Sequence, residues 1–284
     1  KEGVGGRSRF EDDIAAVALT IARRYKAAEV YLLKLLESSS HQKRETAFLK
    51  LAEIYRESDR IDEMKALVTR YLNRSSNVNA ARERIIGVAM AAGMWDLAIE
   101  QLEQTARSKN RGLRYNIGEF QWKAGRPEEA QKTFSEFATN SDRPVEEWHK
   151  VGVFYETHGK PALAAMAYEN AIKADPNKVN PLLARGRLAL VNGNVKQALA
   201  DFEQAIEIAP ASDLPRIYEL LVDEFRKVGR YDEVRRFARE GLKLPGADRT
   251  FFLAPLADEA FGKGEKLAAD RMLTELKAAG MLTG

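Results

Sequence analysis

VEEWHKVGVFYETHGKPALAAMAYENAIKADPNK, residues 145–178, runs directly into VNPLLARGRLALVNGNVKQALADFEQAIEIAPAS, residues 179–212. The two blocks are one pattern written twice. Trp148, Gly152, Tyr155, Gly159, Ala164, Tyr168, Ala171 and Pro176 are answered 34 residues later by Leu182, Gly186, Ala189, Gly193, Ala198, Phe202, Ala205 and Pro210. Trp148, Val151, Gly152 and Tyr155 stand at i, i+3, i+4 and i+7, one face of a first helix. Gly159 interrupts that period, and Ala164, Tyr168 and Ala171 form the inner face of a second helix. Asp175-Pro176 closes it, because the residue before proline avoids helical geometry and proline has no N–H to continue the ladder. Each block is expected to be two antiparallel helices that cannot bury their apolar faces alone, so the blocks stack.

These residues resemble the tetratricopeptide repeat: a large apolar residue, Leu/Val-Gly three positions on, Tyr, then Ala, Phe/Tyr, Ala and Pro. The resemblance implies an all-α fold, an α-solenoid of stacked antiparallel helix pairs wound into a right-handed superhelix. The glycines at 152 and 186 are expected against Ala164 and Ala198, where the paired helices pack most closely. A mid-helix glycine costs roughly 1 kcal/mol against alanine, so its recurrence implies that close packing repays it.

Outward from this centre the pattern weakens. Residues 1–9 read as a polar, Gly-rich tail, and residues 10–284 as a single solenoid. In the first repeat, about 10–37, Ile14, Val17, Ala18 and Ile21 precede Ala28, Leu32 and Leu35 with no turn glycine. Ser38-Ser39-Ser40 links it to the second, 45–75, with Phe48, Leu51, Ala52 and Tyr55 and then Met64, Val68 and Tyr71. The third and fourth occupy 79–107 and 111–139, and their turn glycines, Gly93 and Gly125, lie only 32 apart. After the two central blocks come repeats at 215–247 and 250–283. The seventh's turn glycine, Gly229, arrives 36 residues after Gly193, the extra residues falling at Ala211-Ser212-Asp213. Pro127 and Pro161 fall in the first turn of second helices, where a missing N–H costs nothing. The array closes at Gly280, Met281-Leu282 and Gly284 with no polar capping helix, so the parent chain is expected to continue. A start at Lys1 rather than Met points the same way.

Composition excludes several classes. Lys+Arg 45 against Asp+Glu 42 leaves a net charge of +3, interspersed, so no nucleic-acid partner is expected. No apolar run approaches a membrane span, and no signal peptide is visible. Cysteine is absent, which removes disulfides and thiol chemistry and fits an oxidising compartment such as the periplasm better than the cytoplasm. His41, His149 and His158 have no companion at metal-ligand spacing, and neither a nucleophile elbow nor a phosphate loop is present. Glu128-Glu129 and Glu146-Glu147 read as helix-start acids favoured by the dipole. Asn73-Arg74-Ser75 matches a glycosylation sequon and is set aside for want of secretory evidence. The reading is therefore non-enzymatic, with no cofactor and no metal.

The resemblance implies a protein or peptide partner in a concave groove lined by the first helices, at one position after Trp148 and then four and seven further on. Those positions hold Tyr115, Glu119 and Trp122; His149, Val153 and Glu156; Leu183, Arg187 and Leu190; and Glu219, Asp223 and Arg226. Tyr115 and Trp122 lie outside the core positions of the repeat; they read either as exposed aromatics, a common form of binding anchor, or equally as rings packed against an adjacent first helix. No two consecutive repeats carry the paired Lys/Asn and Lys/Arg of the carboxylate clamp, so chaperone tails are disfavoured. Two further readings stay open. One is self-association through the apolar terminal repeats as a spacer. The other, by analogy with bacterial scaffolds of this type, is a periplasmic role recruiting an enzyme to an outer-membrane pore in exopolysaccharide export or cell-envelope assembly.

Overall fold

The structure, a computed structural model, describes residues 25–106 and 112–279. Among the described residues there are fifteen α-helices and no strand. The tail, the face Ile14 to Ile21, and Gly280 to Gly284 lie outside them. The helices are α1 Tyr25–Leu36, α2 His41–Glu57, α3 Ile61–Asn73, α4 Val78–Ala91, α5 Trp95–Ala106, α6 Gly112–Lys123, α7 Pro127–Thr139 and α8 Pro144–Thr157. They continue as α9 Pro161–Ala174, α10 Val179–Val191, α11 Val195–Ile208, α12 Leu214–Lys227, α13 Tyr231–Gly241, α14 Arg249–Gly262 and α15 Lys266–Ala278. Two compact units divide the chain, and the division falls inside α7 between Phe137 and Ala138.

The local chemistry explains where these helices begin and end. Pro144 and Pro161 open α8 and α10's predecessor α9, while Asn77, Asn194 and Asp248 cap α4, α11 and α14 by accepting from backbone N–H groups of the first turn. Between α8 and α9 the chain turns at Gly159, whose φ is +65°, and Lys160 N donates to Tyr155 O at 2.9 Å. This left-handed closure satisfies carbonyls that a helix end would leave orphaned. The α2–α3 turn makes the same closure with Asp59 at φ +54°, a conformation that costs a non-glycine residue energy.

In the first unit, Phe48 stacks on Tyr71 with ring centroids 4.3 Å apart, and Trp95 packs its ring 5.7 Å from Phe120. The second unit is built on Phe202, Phe225 and Phe237, with centroids 5.8 and 5.4 Å apart along the series. Each fully buried ring contributes about 1.5–3 kcal/mol by leaving water.

One packing expectation is corrected. A Cβ on Gly152 would stand 2.4 Å from the Tyr168 ring, and one on Gly186 would stand 2.6 Å from the Phe202 ring. The glycines make room for the aromatic of the second helix, one turn beyond Ala164 and Ala198. Gly118 faces Phe134 in the same way, at 2.6 Å.

Candidate partner-binding site

In the second unit, α8, α10 and α12 are the first helices of successive pairs, and their like positions converge on one recess of about 390 Å³. His149 and Val153 come from α8. Asn180, Leu183, Ala184 and Arg187 come from α10, and Arg216, Ile217 and Leu220 from α12. Leu183 and Ile217 are buried and form the floor, whereas Val153 and Arg216 are exposed at the rim.

Beneath the recess a polar chain ties the core to its wall. The Tyr168 hydroxyl donates to Glu156 Oε2 at 2.7 Å, and Arg187 Nη2 donates to Glu156 Oε1 and Oε2 at 3.0 and 3.2 Å. Phe134 and Phe202 occupy the equivalent position in flanking repeats, so the hydroxyl is the one change that lets this ring reach the carboxylate. Burial raises the Tyr168 phenol above its ordinary range, with Glu156 adding to it, so it remains a donor at neutral pH. The His149 ring lies 5.4 Å from that of Tyr168, and its Nδ1 is buried without a hydrogen-bond partner. Burial holds the imidazole below the ordinary value of 6.5; Arg187 pushes the same way and Glu156 opposes. His149 is therefore neutral at pH 7.

The remaining candidates on α8, α10 and α12 are spread away from this recess. Leu190 is 2% exposed and belongs to the core. Asp223 accepts from Arg226 at 2.8 Å, and that guanidinium also lies over the Phe251 ring. Glu219 is half-buried and does not line the recess. The open surface is thus shifted one turn toward the helix N-termini: it uses the positions of Asn180 and Arg216, three residues before Leu183 and Glu219, in place of those seven residues later. Side chains on a helix tilt toward its N-terminus, which carries the accessible face in that direction. Asn180, Arg216, Ile217 and Leu220 were not singled out by the repeat positions. For Asn180 and Arg216 a signal existed, a polar residue three places before the groove position in each of these two repeats.

In the first unit, Glu119 and Trp122 are half-buried. Tyr115 is corrected from an exposed aromatic to a core residue: it is 8% exposed, with its ring 5.4 Å from Phe134 and 5.7 Å from Phe137. Its phenol is raised above the usual range by burial, with Glu119 adding to the shift. A second recess, of about 450 Å³, opens between the α2–α3 and α4–α5 turns beside Tyr55, Met64 and Trp95. Arg56 pairs with Glu57, Arg60 with Glu29, and Asp96 with Arg126, so most of its charge is already answered within the fold. For that reason the recess in the second unit is the stronger candidate.

Among the described residues, no group of three or more His, Asp or Glu side chains gathers where it would hold a metal ion, and no helix is long and apolar enough to cross a membrane.

Comparison with known proteins bears on the same region. Residues 155–213 match the family model for the tetratricopeptide repeat. Tetratricopeptide repeat protein 14 of Mus musculus is 33% identical over 90 residues, which is 31% of this chain, and the match spans only 11% of that protein's length. Among solved structures, the C-terminal part of a TPR repeat-containing protein from Cytophaga hutchinsonii is 17% identical with a TM-score of 0.42, covering 83% of this chain and 96% of that one. A crystal structure of MamA is 19% identical with a TM-score of 0.38, covering 56% of this chain and 93% of that one.

Proposed function

We propose that this chain, a tetratricopeptide-repeat protein, is a non-catalytic scaffold that holds a segment of a partner protein against the first helices of its second unit. The observation that carries the reading is the convergence of His149, Val153, Leu183 and Arg187 with Arg216 and Leu220 on one open recess. An apolar floor with polar groups at the rim is the usual composition of an interface centre. The test is to select binders from a random peptide display library and map one of them by hydrogen exchange. Slowed exchange in α8, α10 and α12, abolished by Val153→Asp, is the expected result; protection elsewhere removes the reading.

Self-association is a second reading, favoured by one observation. Phe261 and Leu267, in the last two described helices, are 75% and 69% exposed. Light scattering across concentration decides it, since a monodisperse monomer eliminates the spacer role.

A further inference from the structure

We infer that the second-unit recess selects an acidic segment: a partner carboxylate beside an apolar side chain, the carboxylate received by Arg216 and Arg187. The inference rests on the scaffold reading above and adds the chemistry of the partner.

The charges facing the recess decide its preference. Its lining includes two guanidiniums and no carboxylate. His149, the remaining titratable group there, is neutral at pH 7. Glu156 neutralises part of the Arg187 charge but engages Nη2 alone, so among the described residues Nε and Nη1 have no partner. Arg216 makes no ion pair among the described residues, although arginines on neighbouring helices do: Arg185 with Asp201, Arg226 with Asp223 and Arg236 with Glu203. The nearest acids on α12 do not offset it, because Glu219 and Asp223 do not line the recess and Asp223 is held by Arg226.

Guanidinium geometry makes this positive rim specific. Arginine presents a planar fork of donors that matches a carboxylate in two parallel hydrogen bonds, and it is more weakly hydrated than an ammonium. A neutral or cationic segment would bury the apolar floor equally well but leave the Arg216 fork unmatched and the Arg187 charge only partly answered by Glu156. Asn180, at the mouth, offers an amide that can both donate to and accept from an extended backbone. The arrangement is unlike the Lys/Asn clamp of this repeat class, since the cations come from the first turn of α12 and the middle of α10.

Three nine-residue fluorescent probes test it, alternating leucine with glutamate, glutamine or lysine, with anisotropy titrations on the intact 284-residue chain. The glutamate probe is expected to bind about tenfold tighter than either other probe, a difference of about 1.4 kcal/mol, and to weaken as salt rises. Arg216→Gln, at an exposed position, is expected to erase that preference without altering the circular dichroism spectrum. Equal or tighter binding of the glutamine or lysine probe, or an unchanged preference in Arg216→Gln, overturns the acidic class. In that case, loss of binding in Val153→Asp preserves the groove itself. If no probe binds, or if Val153→Asp binds all three like the parent, the groove reading falls as well.

Discussion

Replacing Gly186 by alanine pits two effects of known sign against each other, and the structure says which wins. Alanine in a helix interior is favoured over glycine by about 1 kcal/mol. Against this, the added methyl carbon would lie 2.6, 2.8 and 3.1 Å from Cε1, Cδ1 and Cζ of Phe202. Ordinary contact begins near 3.4 Å, and the ring has nowhere to go: Phe202 is 0% exposed and set edge-on against Phe225. Overpacking of this kind costs about 1–3 kcal/mol, and a clash of nearly an ångström with a fully enclosed ring belongs at the upper end. The net expectation is a loss of about 2 kcal/mol, the difference between about 3 for strain and about 1 for helix propensity. Gly87 supplies the control, for it lies within α4, and a Cβ there meets nothing within 4 Å. Gly87→Ala should stabilise its helix by up to about 1 kcal/mol. Hydrogen exchange reads the two locally, in α10 and α11 for the first and in α4 for the second, which avoids assuming that the repeats unfold together. The double variant Gly186→Ala with Phe202→Leu should recover part of the loss by relieving the contact. Slower exchange in α10 for Gly186→Ala, equal to the gain in Gly87→Ala, would refute the argument.

Tyr168→Phe should keep the fold, because Phe134 and Phe202 fill the same place in the flanking repeats, and should cost about 1.5–3 kcal/mol for a hydrogen bond to a charged acceptor; exchange in α8 and α9 measures it. Asp201→Ala removes a 1% exposed carboxylate that receives Arg185 Nε and Nη2 at 3.0 and 2.7 Å and Gln197 Nε2 at 2.9 Å. The stranded guanidinium should cost about 3 kcal/mol in urea unfolding, and Arg185→Met in the same chain should restore part of it. His149 gives a pH dependence of definite sign. Its folded pKa lies below the unfolded value of 6.5, so between the two the unfolded chain binds more protons and stability falls with acidification. The parent chain should therefore lose stability relative to His149→Gln as pH falls from 7 through 6.5 and below, and a difference that is flat across that fall would contradict the burial.

The parts of this molecule that were readable in advance are those where a backbone constraint repeats. Gly152 and Gly186 recur because a side chain at either position would enter the ring of Tyr168 or Phe202. Gly159 and Gly193 recur because each turn needs a positive φ. Such constraints allow few residue types, so they survive as a period of 34. Which atom a glycine makes room for is a matter of side-chain reach, and that is why the ring was found where Ala164 had been expected.

The recess followed a different logic. His149, Val153, Leu183 and Arg187 could be named because groove positions inherit the same period, yet many residue types fit an exposed helix face and the pattern could not rank them. Tyr115 showed the weakness: a repeat position called groove-facing was filled by a ring large enough to fold back onto Phe134 and Phe137. Arg216 showed the converse. It occupies the place of Asn180 one repeat on, but the two extra residues before α12 break the count of 34, and its importance depends on what its neighbours leave unpaired. Charge compensation is a property of three helices at once. Glu156 answers Arg187 across 31 residues and Asp223 answers Arg226 across 3, whereas among the described residues no acid answers Arg216. That imbalance at the rim of an apolar recess is the basis of the proposed preference for an acidic partner, and it emerges only after the ion pairs have been assigned.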